Sequence, residues 1–346
     1  MGYPPLYASL SRQPFRMSLL QSLAYMAGGF ALLIAGAEGL VRGAASSALR
    51  FGLTPLVVGL TVVAFGTSSP ELVICVEAAL TGNDGLAVGN VVGSNIANLA
   101  LIVGVAALIA PALVQRKLVR VDLPTVLGIS AVLALMLVDG AIGRVEGGIL
   151  AAGAVGFVWA NVKQARRETR KKAELLAAAP AEASGVEPDD ALGEVPDEPR
   201  PVWQDALLIA IGLGLLILGG DLLLKGAVAA AHRLDVSDAV IGLTLVALGT
   251  SLPELATTVV ASVRGHSDMA LGNAVGSNAF NVLGVLGPAA LVAPLGSGGV
   301  EMLDLGIMLG ITAALPASLW FTPRLTRWHG VVLIGLYAAY VWFLLA

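Results

Sequence analysis

The sequence has few charged residues and few of the groups on which soluble enzymes depend. Only 13% of its 346 residues are Asp, Glu, Lys or Arg, about half the share of an ordinary soluble domain. A single cysteine, Cys75, excludes an internal disulfide and any multi-cysteine metal site. There is no HExxH metalloprotease motif and no P-loop. The net charge of −4 provides no basic surface for nucleic acid. We therefore expect neither an enzyme nor a nucleic-acid-binding protein, and no bound cofactor.

Most of the sequence consists of long apolar runs. Hydrophobic residues make up 57% of the chain and the mean hydropathy is +0.85. Runs of about 20 residues span a bilayer as helices, whereas β-barrel strands would alternate apolar and polar residues in shorter pieces. The sequence predicts an all-α membrane protein with ten transmembrane helices. Their predicted ranges are 22–49, 53–80, 85–111, 122–139, 143–161, 204–231, 239–263, 268–293, 303–320 and 328–346.

A charged segment divides the chain into two related halves. Residues 163–203 begin with KQARRETRKK, continue with an acidic, proline-bearing stretch and are predicted to form a linker. When the sequence is shifted by 183 positions, 24 of the 48 residues from Val57 to Gly104 are identical to their partners. We therefore predict an N-terminal extension at 1–16 and two five-helix repeats at 17–162 and 204–346. Because five is odd, the second repeat enters the membrane from the opposite side, which makes the repeats inverted.

The placement of Lys and Arg predicts the orientation. Cytoplasmic loops collect these residues, and a cytoplasmic linker puts most of the basic loop residues on that side. Both termini then lie outside a multi-pass protein of the cytoplasmic (inner) membrane.

Each repeat carries the same two polar motifs within apolar surroundings. The first repeat reads GLTVVAFGTSSPEL at 59–72 and AVGNVVGSNIAN at 87–98, and the second reads GLTLVALGTSLPEL at 242–255 and ALGNAVGSNAFN at 270–281. Pro70 and Pro253 lack an N–H and predict a broken helix at the centre of each repeat. Glu71 and Glu254 then begin the second half-helices, where the helix dipole favours negative charge.

A carboxylate at the bilayer centre costs roughly 2.5–3.5 kcal/mol, and no intramembrane Lys or Arg recurs near either glutamate. A bound cation is therefore predicted. Hard cations such as Ca²⁺ bind 6–8 oxygens, and soft ligands are absent from these motifs. Two bare carboxylates would repel each other, so we expect the site to cross the membrane only when filled, as in an antiporter. The predicted ligands besides the glutamates are Asn98, Asn281, Thr67, Thr250, Ser68, Ser251, Ser94 and Ser277.

The motifs GTSSPE and GTSLPE, each followed by GNxVGSNxxN, resemble the paired alpha-repeats of the sodium/calcium exchangers, in the cation/calcium exchanger superfamily. The resemblance implies ten helices, Ca²⁺ exchanged for Na⁺, usually outward, and four central ligands at Glu71, Glu254, Asn98 and Asn281. It also implies sodium sites at the four serines, with backbone oxygens from residues Ala64, Thr67, Ala247 and Thr250. Potassium-dependent relatives have aspartate where this chain has Asn281, which indicates the potassium-independent branch.

Other interpretations remain open at this point. Coupling to H⁺ or K⁺ and a cation channel are alternatives to Na⁺ coupling, and asparagines also join membrane helices through hydrogen bonds. The GxxxG pairs Gly89/Gly93 and Gly272/Gly276 are predicted to be packing surfaces. The partners expected are Ca²⁺, Na⁺ and the lipid bilayer, with no obligatory protein partner.

Overall fold

The computed structural model describes residues 18–178, 201–233, 247–297 and 299–345. The first half contains α1 Leu19–Arg50, α2 Pro55–Thr67, α3 Ser69–Thr81, α4 Asp84–Ile109, α5 Leu118–Asp139 and α6 Arg144–Ala178. The second half contains α7 Val202–Arg233, α8 Ala247–Thr250, α9 Leu252–Val263, α10 Ser267–Val292, α11 Met302–Leu319 and α12 Arg327–Leu345. Four two-residue strands lie in the loops: β1 Ala112–Leu113, β2 Ala141–Ile142, β3 Leu295–Gly296 and β4 Arg324–Leu325.

Most of these helices are long and apolar enough to cross a bilayer. Within the described part of the chain, eight helices pass that test singly, and the bent pair of α2 and α3 makes a ninth span. Helix α9 is apolar but shorter, and residues 234–246, which complete the span predicted at 239–263, lie outside the described residues. The chain is therefore a mostly helical, multi-pass membrane protein.

The helix bounds follow the predicted ranges closely, with one difference. Helix α6 continues to Ala178, through the basic part of the segment predicted as a linker, because Ala, Lys, Arg and Glu are strong helix formers. The predicted N-terminal extension at 1–16 and residues 179–200 lie outside the described residues.

The two halves have the same order of elements. Helices α1, α4 and α6 begin at residues 19, 84 and 144, and α7, α10 and α12 begin 183 positions later, at 202, 267 and 327. Related sequences have therefore folded into related elements on both sides of the linker.

Glycines bring α1 and α7 into backbone contact. A Cβ added at Gly36 would lie 2.7 Å from the carbonyl oxygen of Gly212, and one at Gly219 would lie 2.8 Å from that of Gly29. Such small residues let membrane helices approach closely. The two contacts are reciprocal, since Gly212 and Gly219 are the repeat counterparts of Gly29 and Gly36.

The short strands also join the halves reciprocally. Strand β1 pairs with β4, with Ala112 opposite Leu325, and β2 pairs with β3, with Ile142 opposite Leu295. Strands β3 and β4 are the repeat counterparts of β1 and β2, so exchanging the two repeats turns one strand pair into the other.

Helices α4 and α10 form the centre of the bundle. Their apolar windows are 72% and 78% buried, compared with 22% for α1 and 11% for α12. The peripheral helices expose large hydrophobic side chains, among them Leu20, Phe30 and Trp328, as expected of faces that contact lipid. The motifs of both repeats therefore meet inside the bundle.

Candidate cation-binding site

Two helix breaks position the acidic residues. Helices α2 and α3 meet at Ser68 with a bend of 44°, and α8 and α9 meet at Ser251, whose backbone angles are nearly the same. Pro70 and Pro253 follow the breaks, as the sequence predicts. The hydroxyl of Ser69 donates to the carbonyl oxygen of Gly66 at 2.6 Å, which satisfies the acceptor that lost its helical partner to Pro70.

Glu71 and Glu254 lie in the first turns of α3 and α9, and both are completely buried. They come from different halves, yet they lie at one site, since Ser68 at the break before Glu71 donates to Oε1 of Glu254. Among the described residues, no lysine or arginine forms an ion pair with either glutamate. The negative charge of this pair therefore has no counter-charge from the described protein.

The two central asparagines sit at corresponding irregularities of α4 and α10. Asn98 begins a π-helical turn at Asn98–Ile102, and Asn281 begins another at Asn281–Leu286. Such turns are frequent at functional sites. Both side chains are fully buried. The amide of Asn281 donates to Oδ1 of Asn95 at 3.1 Å, which fixes the orientation of that side chain.

The predicted hydroxyl residues are brought to the same region. Ser68 donates to Oε1 of Glu254 at 3.0 Å, and Ser251 donates to the hydroxyl of Ser94 at 3.3 Å. Ser277 is buried as well.

The threonines bind polar residues of the opposite half. Thr67 donates to Oδ1 of Asn273 at 3.2 Å, and Thr250 donates to Oδ1 of Asn90 at 3.3 Å. The carbonyl oxygen of Ala64 accepts the backbone N–H of Ser68 at 3.0 Å.

Several buried polar atoms at this centre have no hydrogen-bond partner. They are both carboxylate oxygens of Glu71, Oε2 of Glu254, both amide atoms of Asn98, Oδ1 of Asn281 and the hydroxyl of Ser277. Unpaired buried polar atoms are costly and therefore rare. The oxygens among them come from α3, α9, α4 and α10 and fit a cation that supplies their missing partner.

The donor set favours a hard cation. Within the described part of the chain, no group of three or more His, Cys, Asp or Glu side chains is close enough to hold a metal ion. Carboxylate, amide and hydroxyl oxygens are ligands suited to calcium and alkali ions.

Four asparagines beside the site are not among the predicted ligands: Asn95, Asn273 and Asn278, which are buried, and Asn90, which is partly buried. Asn95 donates to the carbonyl oxygen of Asn278 at 3.3 Å, and Asn278 donates to that of Asn95 at 3.0 Å. Asn273 also donates to the carbonyl oxygen of Glu254 at 3.3 Å. The signal was present, because each of these asparagines is identical to its repeat counterpart.

Comparison with known proteins agrees with this geometry. The family described as "Sodium/calcium exchanger protein" matches residues 21–163 and 205–346. The inner membrane protein YrbG of Escherichia coli (strain K12) is 35% identical over 323 residues, covering 92% of this chain and 94% of the relative. The sodium/calcium exchanger MaX1 of Methanosarcina acetivorans is 30% identical over 337 residues, covering 90% of this chain and 95% of the relative. A solved structure of the sodium-calcium exchanger NCX_Mj superposes with a TM-score of 0.77 at 28% identity, covering 94% of this chain and all of that one.

Proposed function

This chain belongs to the sodium/calcium exchanger family, whose members are transporters and not enzymes, and we propose that it exchanges Ca²⁺ for Na⁺ at a site centred on Glu71 and Glu254. The observation that carries the proposal is the cluster of buried, unpartnered oxygens on these glutamates and on Asn98 and Asn281. The sodium/calcium exchangers among the relatives support the choice of ions.

Charge balance explains why the site exchanges ions and does not simply leak them. Two carboxylates contribute two negative charges, which one Ca²⁺ or several Na⁺ compensate. An empty site holds two buried like charges, which is costly, so the empty protein does not change its facing side readily. Only a filled site crosses, and this requirement couples the two ions.

In this proposal, the serines contribute to Na⁺ binding and so distinguish the sodium-loaded site from the calcium-loaded site. Ser68 already binds Glu254, and Ser94 binds Ser251, so the hydroxyls lie beside the carboxylates from both halves. Together with Ser277 and the backbone oxygens of residues 64, 67, 247 and 250, they form the proposed sodium sites. Because Na⁺ and Ca²⁺ share carboxylate oxygens, one ion displaces the other.

Alternating access in an inverted repeat is the proposed means of transport. We propose ten spans, of which the seventh is the one predicted at 239–263. Reciprocal glycine contacts between α1 and α7 and the exchanged strand pairs support a two-fold relation between the repeats. Two related arrangements of the repeats would open the same site to opposite sides.

We propose that the linker at 163–203 is cytoplasmic, that both termini lie outside, and that Ca²⁺ moves outward across the inner membrane. Lys and Arg placement supports this orientation. At the stoichiometry of three Na⁺ to one Ca²⁺ usual for the resembled family, each cycle carries one net charge. That charge is worth about 2.3 kcal/mol per 100 mV, so an inside-negative potential favours Ca²⁺ export.

Calcium-45 flux in proteoliposomes tests this function. We expect Ca²⁺ uptake driven by an imposed Na⁺ gradient in the native protein, and loss of that uptake in Glu71→Gln and Glu254→Gln. Glu77→Gln on the same helix is the matched control, because Glu77 is only partly buried and its repeat counterpart is valine.

Other gradients separate the alternatives. Uptake that follows a K⁺ or pH gradient and ignores Na⁺ would reject sodium coupling. Flux that persists with no counter-ion gradient would indicate a channel.

A further inference from the structure

A cavity of about 300 Å³ lies between α5 and α6. Its walls are residues Val121–Ile129 of α5 and Gly153–Gln164 of α6, and Leu283 of α10 closes its inner end. None of these residues is a predicted cation ligand. We call this cavity the α5–α6 groove.

The groove is as long as one leaflet of hydrocarbon. At 1.5 Å per residue, its walls extend about 12 Å along α5 and about 16 Å along α6. Half of a hydrocarbon core of roughly 30 Å is about 15 Å. The dimensions of the groove therefore suit one acyl chain that lies along the helices.

The groove has an apolar interior and one polar end. Ile129, Phe157 and Leu283 line the interior. At the polar end, the ammonium group of Lys117 lies 2.8 Å from Asp122 and 3.0 Å from Oδ1 of Asn161. Lys117 compensates the charge of Asp122, so this carboxylate does not exclude an anion from the end of the groove.

Exposed cations lie beyond that polar end. Arg167 is three residues after Gln164 and therefore on the same side of α6, and Lys163 and Arg120 are exposed nearby in sequence. Lys163 lies 4.1 Å from the ring centroid of Trp159, and Arg120 lies 5.5 Å from that of Trp320. Tryptophans with basic residues are typical of the membrane interface.

The corresponding positions of the second repeat carry larger side chains. Gly153 and Ala160 are replaced by Leu336 and Phe343. Tyr340, the counterpart of Phe157, donates a hydrogen bond to Asp304 of α11 at 3.2 Å. The small side chains at residues 153 and 160 that leave room in the groove are therefore not repeated at these positions of the second half.

We propose that the α5–α6 groove binds one anionic phospholipid, with an acyl chain along Phe157 and Leu283 and the phosphate beside Arg120, Lys163 and Arg167. Basic pockets between transmembrane helices bind anionic headgroups in this way. The inference concerns a lipid ligand and is independent of the transported ions.

Native mass spectrometry of the purified full-length protein tests the site, with phosphatidylglycerol and phosphatidylcholine as probes. Gly153→Leu and Ala160→Phe place the side chains of the second repeat in the groove. A Cβ at Gly153 would meet only the end of Leu283, at 3.1 Å. Gly156→Leu is the matched control, because Gly156 is exposed and a Cβ there would have no neighbour within 4 Å. Thermal unfolding of every variant verifies that it is folded.

We expect the native protein and Gly156→Leu to retain phosphatidylglycerol, and both groove-filling variants to lose it. Replacing Lys163 and Arg167 by glutamine should weaken binding by roughly fivefold for each charge. Equal retention by all variants, or equal binding of phosphatidylcholine, would overturn the proposal. Inorganic phosphate serves as a further probe, and thermal stabilisation by it equal to that by the lipid would also overturn the proposal.

Discussion

At the scale of single residues, the two central asparagines differ in how they are held. Neither amide atom of Asn98 has a hydrogen-bond partner, whereas the amide nitrogen of Asn281 is bound to Asn95. Asn98, a proposed ligand, can therefore change its charge without breaking a hydrogen bond to the described protein. At Asn281, an aspartate would place a carboxylate oxygen beside Oδ1 of Asn95, and neither of these oxygens can donate a hydrogen bond.

Asn98→Asp adds a third carboxylate, so a Ca²⁺-loaded site would carry one uncompensated negative charge. We expect tighter Ca²⁺ binding, because affinity rises with ligand charge. Transport should be roughly a hundredfold slower, because a buried charge costs roughly 2.5–3.5 kcal/mol. Calorimetric titration and calcium-45 flux measure the two effects. Unchanged flux would show that net charge does not limit the crossing of the site.

Asn95 and Asn278 allow a test of whether neighbouring asparagines hold the proposed ligands in position. Asn95 holds the carbonyl oxygen of Asn278 and the amide of Asn281, while Asn278 holds only the carbonyl oxygen of Asn95 and leaves its own Oδ1 unpaired. We expect Asn95→Ala to reduce Ca²⁺ affinity more than Asn278→Ala does. Both should lower stability by about 1 kcal/mol or more. Equal Ca²⁺ affinities of the two variants would contradict this role.

The glutamates and central asparagines can be recognised in the sequence for two reasons. A polar side chain buried in a membrane costs free energy, and each of these residues recurs in the second repeat. A buried carboxylate beside proline in both repeats needs a chemical reason. Recurrence marks Asn95 in the sequence as well, but its role depends on hydrogen bonds with Asn278 and Asn281 in the other half. Sequence spacing does not reveal contacts between halves.

At the scale of elements, glycine determines how closely the helices of the site approach. A Cβ at Gly276 would lie 2.6 Å from the carbonyl oxygen of Leu60, so α10 packs directly against α2, about two helical turns before the first break. The packing role predicted for Gly272 and Gly276 agrees with this geometry, since a Cβ at Gly272 would lie as close to the carbonyl oxygen of Leu56. The same role predicted for Gly89 and Gly93 is wrong, because a Cβ at Gly93 would have no neighbour within 4 Å and one at Gly89 would meet only the side chain of Val300, at 3.8 Å.

Gly276→Ala should separate α10 from α2 and destabilise the protein by about 1–3 kcal/mol, the usual cost of overpacking. Gly306→Ala is its control, because a Cβ at Gly306 would have no neighbour within 4 Å. Thermal unfolding in detergent, followed by tryptophan fluorescence, compares the two. Equal midpoints would show that the close approach is not required.

The breaks between half-helices could also be predicted, because proline acts through its own missing N–H. The 44° bend at Ser68 is its result. The π-helical turns at Asn98 and Asn281 could not be predicted, because nothing in local propensity distinguishes them from regular helix. Their cause lies in packing around the site.

At the scale of the whole molecule, the proposed inverted topology predicts which side of the membrane each loop faces. Asn83 and His266 occupy corresponding turns, between α3 and α4 and between α9 and α10. In a Cys75→Ala background, we expect Asn83→Cys to react with an impermeant thiol reagent only from outside. His266→Cys should react only from the cytoplasmic side. Labelling of both cysteines from one side would exclude inverted repeats.

The strand pairs have a consequence for how the chain is made. Strand β1 finds its partner in β4, and β2 finds its partner in β3, while α1 rests along α7. The N-terminal half is therefore synthesised before the residues of the C-terminal half that it contacts. Such distant pairings slow folding, so the final packing of the first half is complete only after the second half has been made.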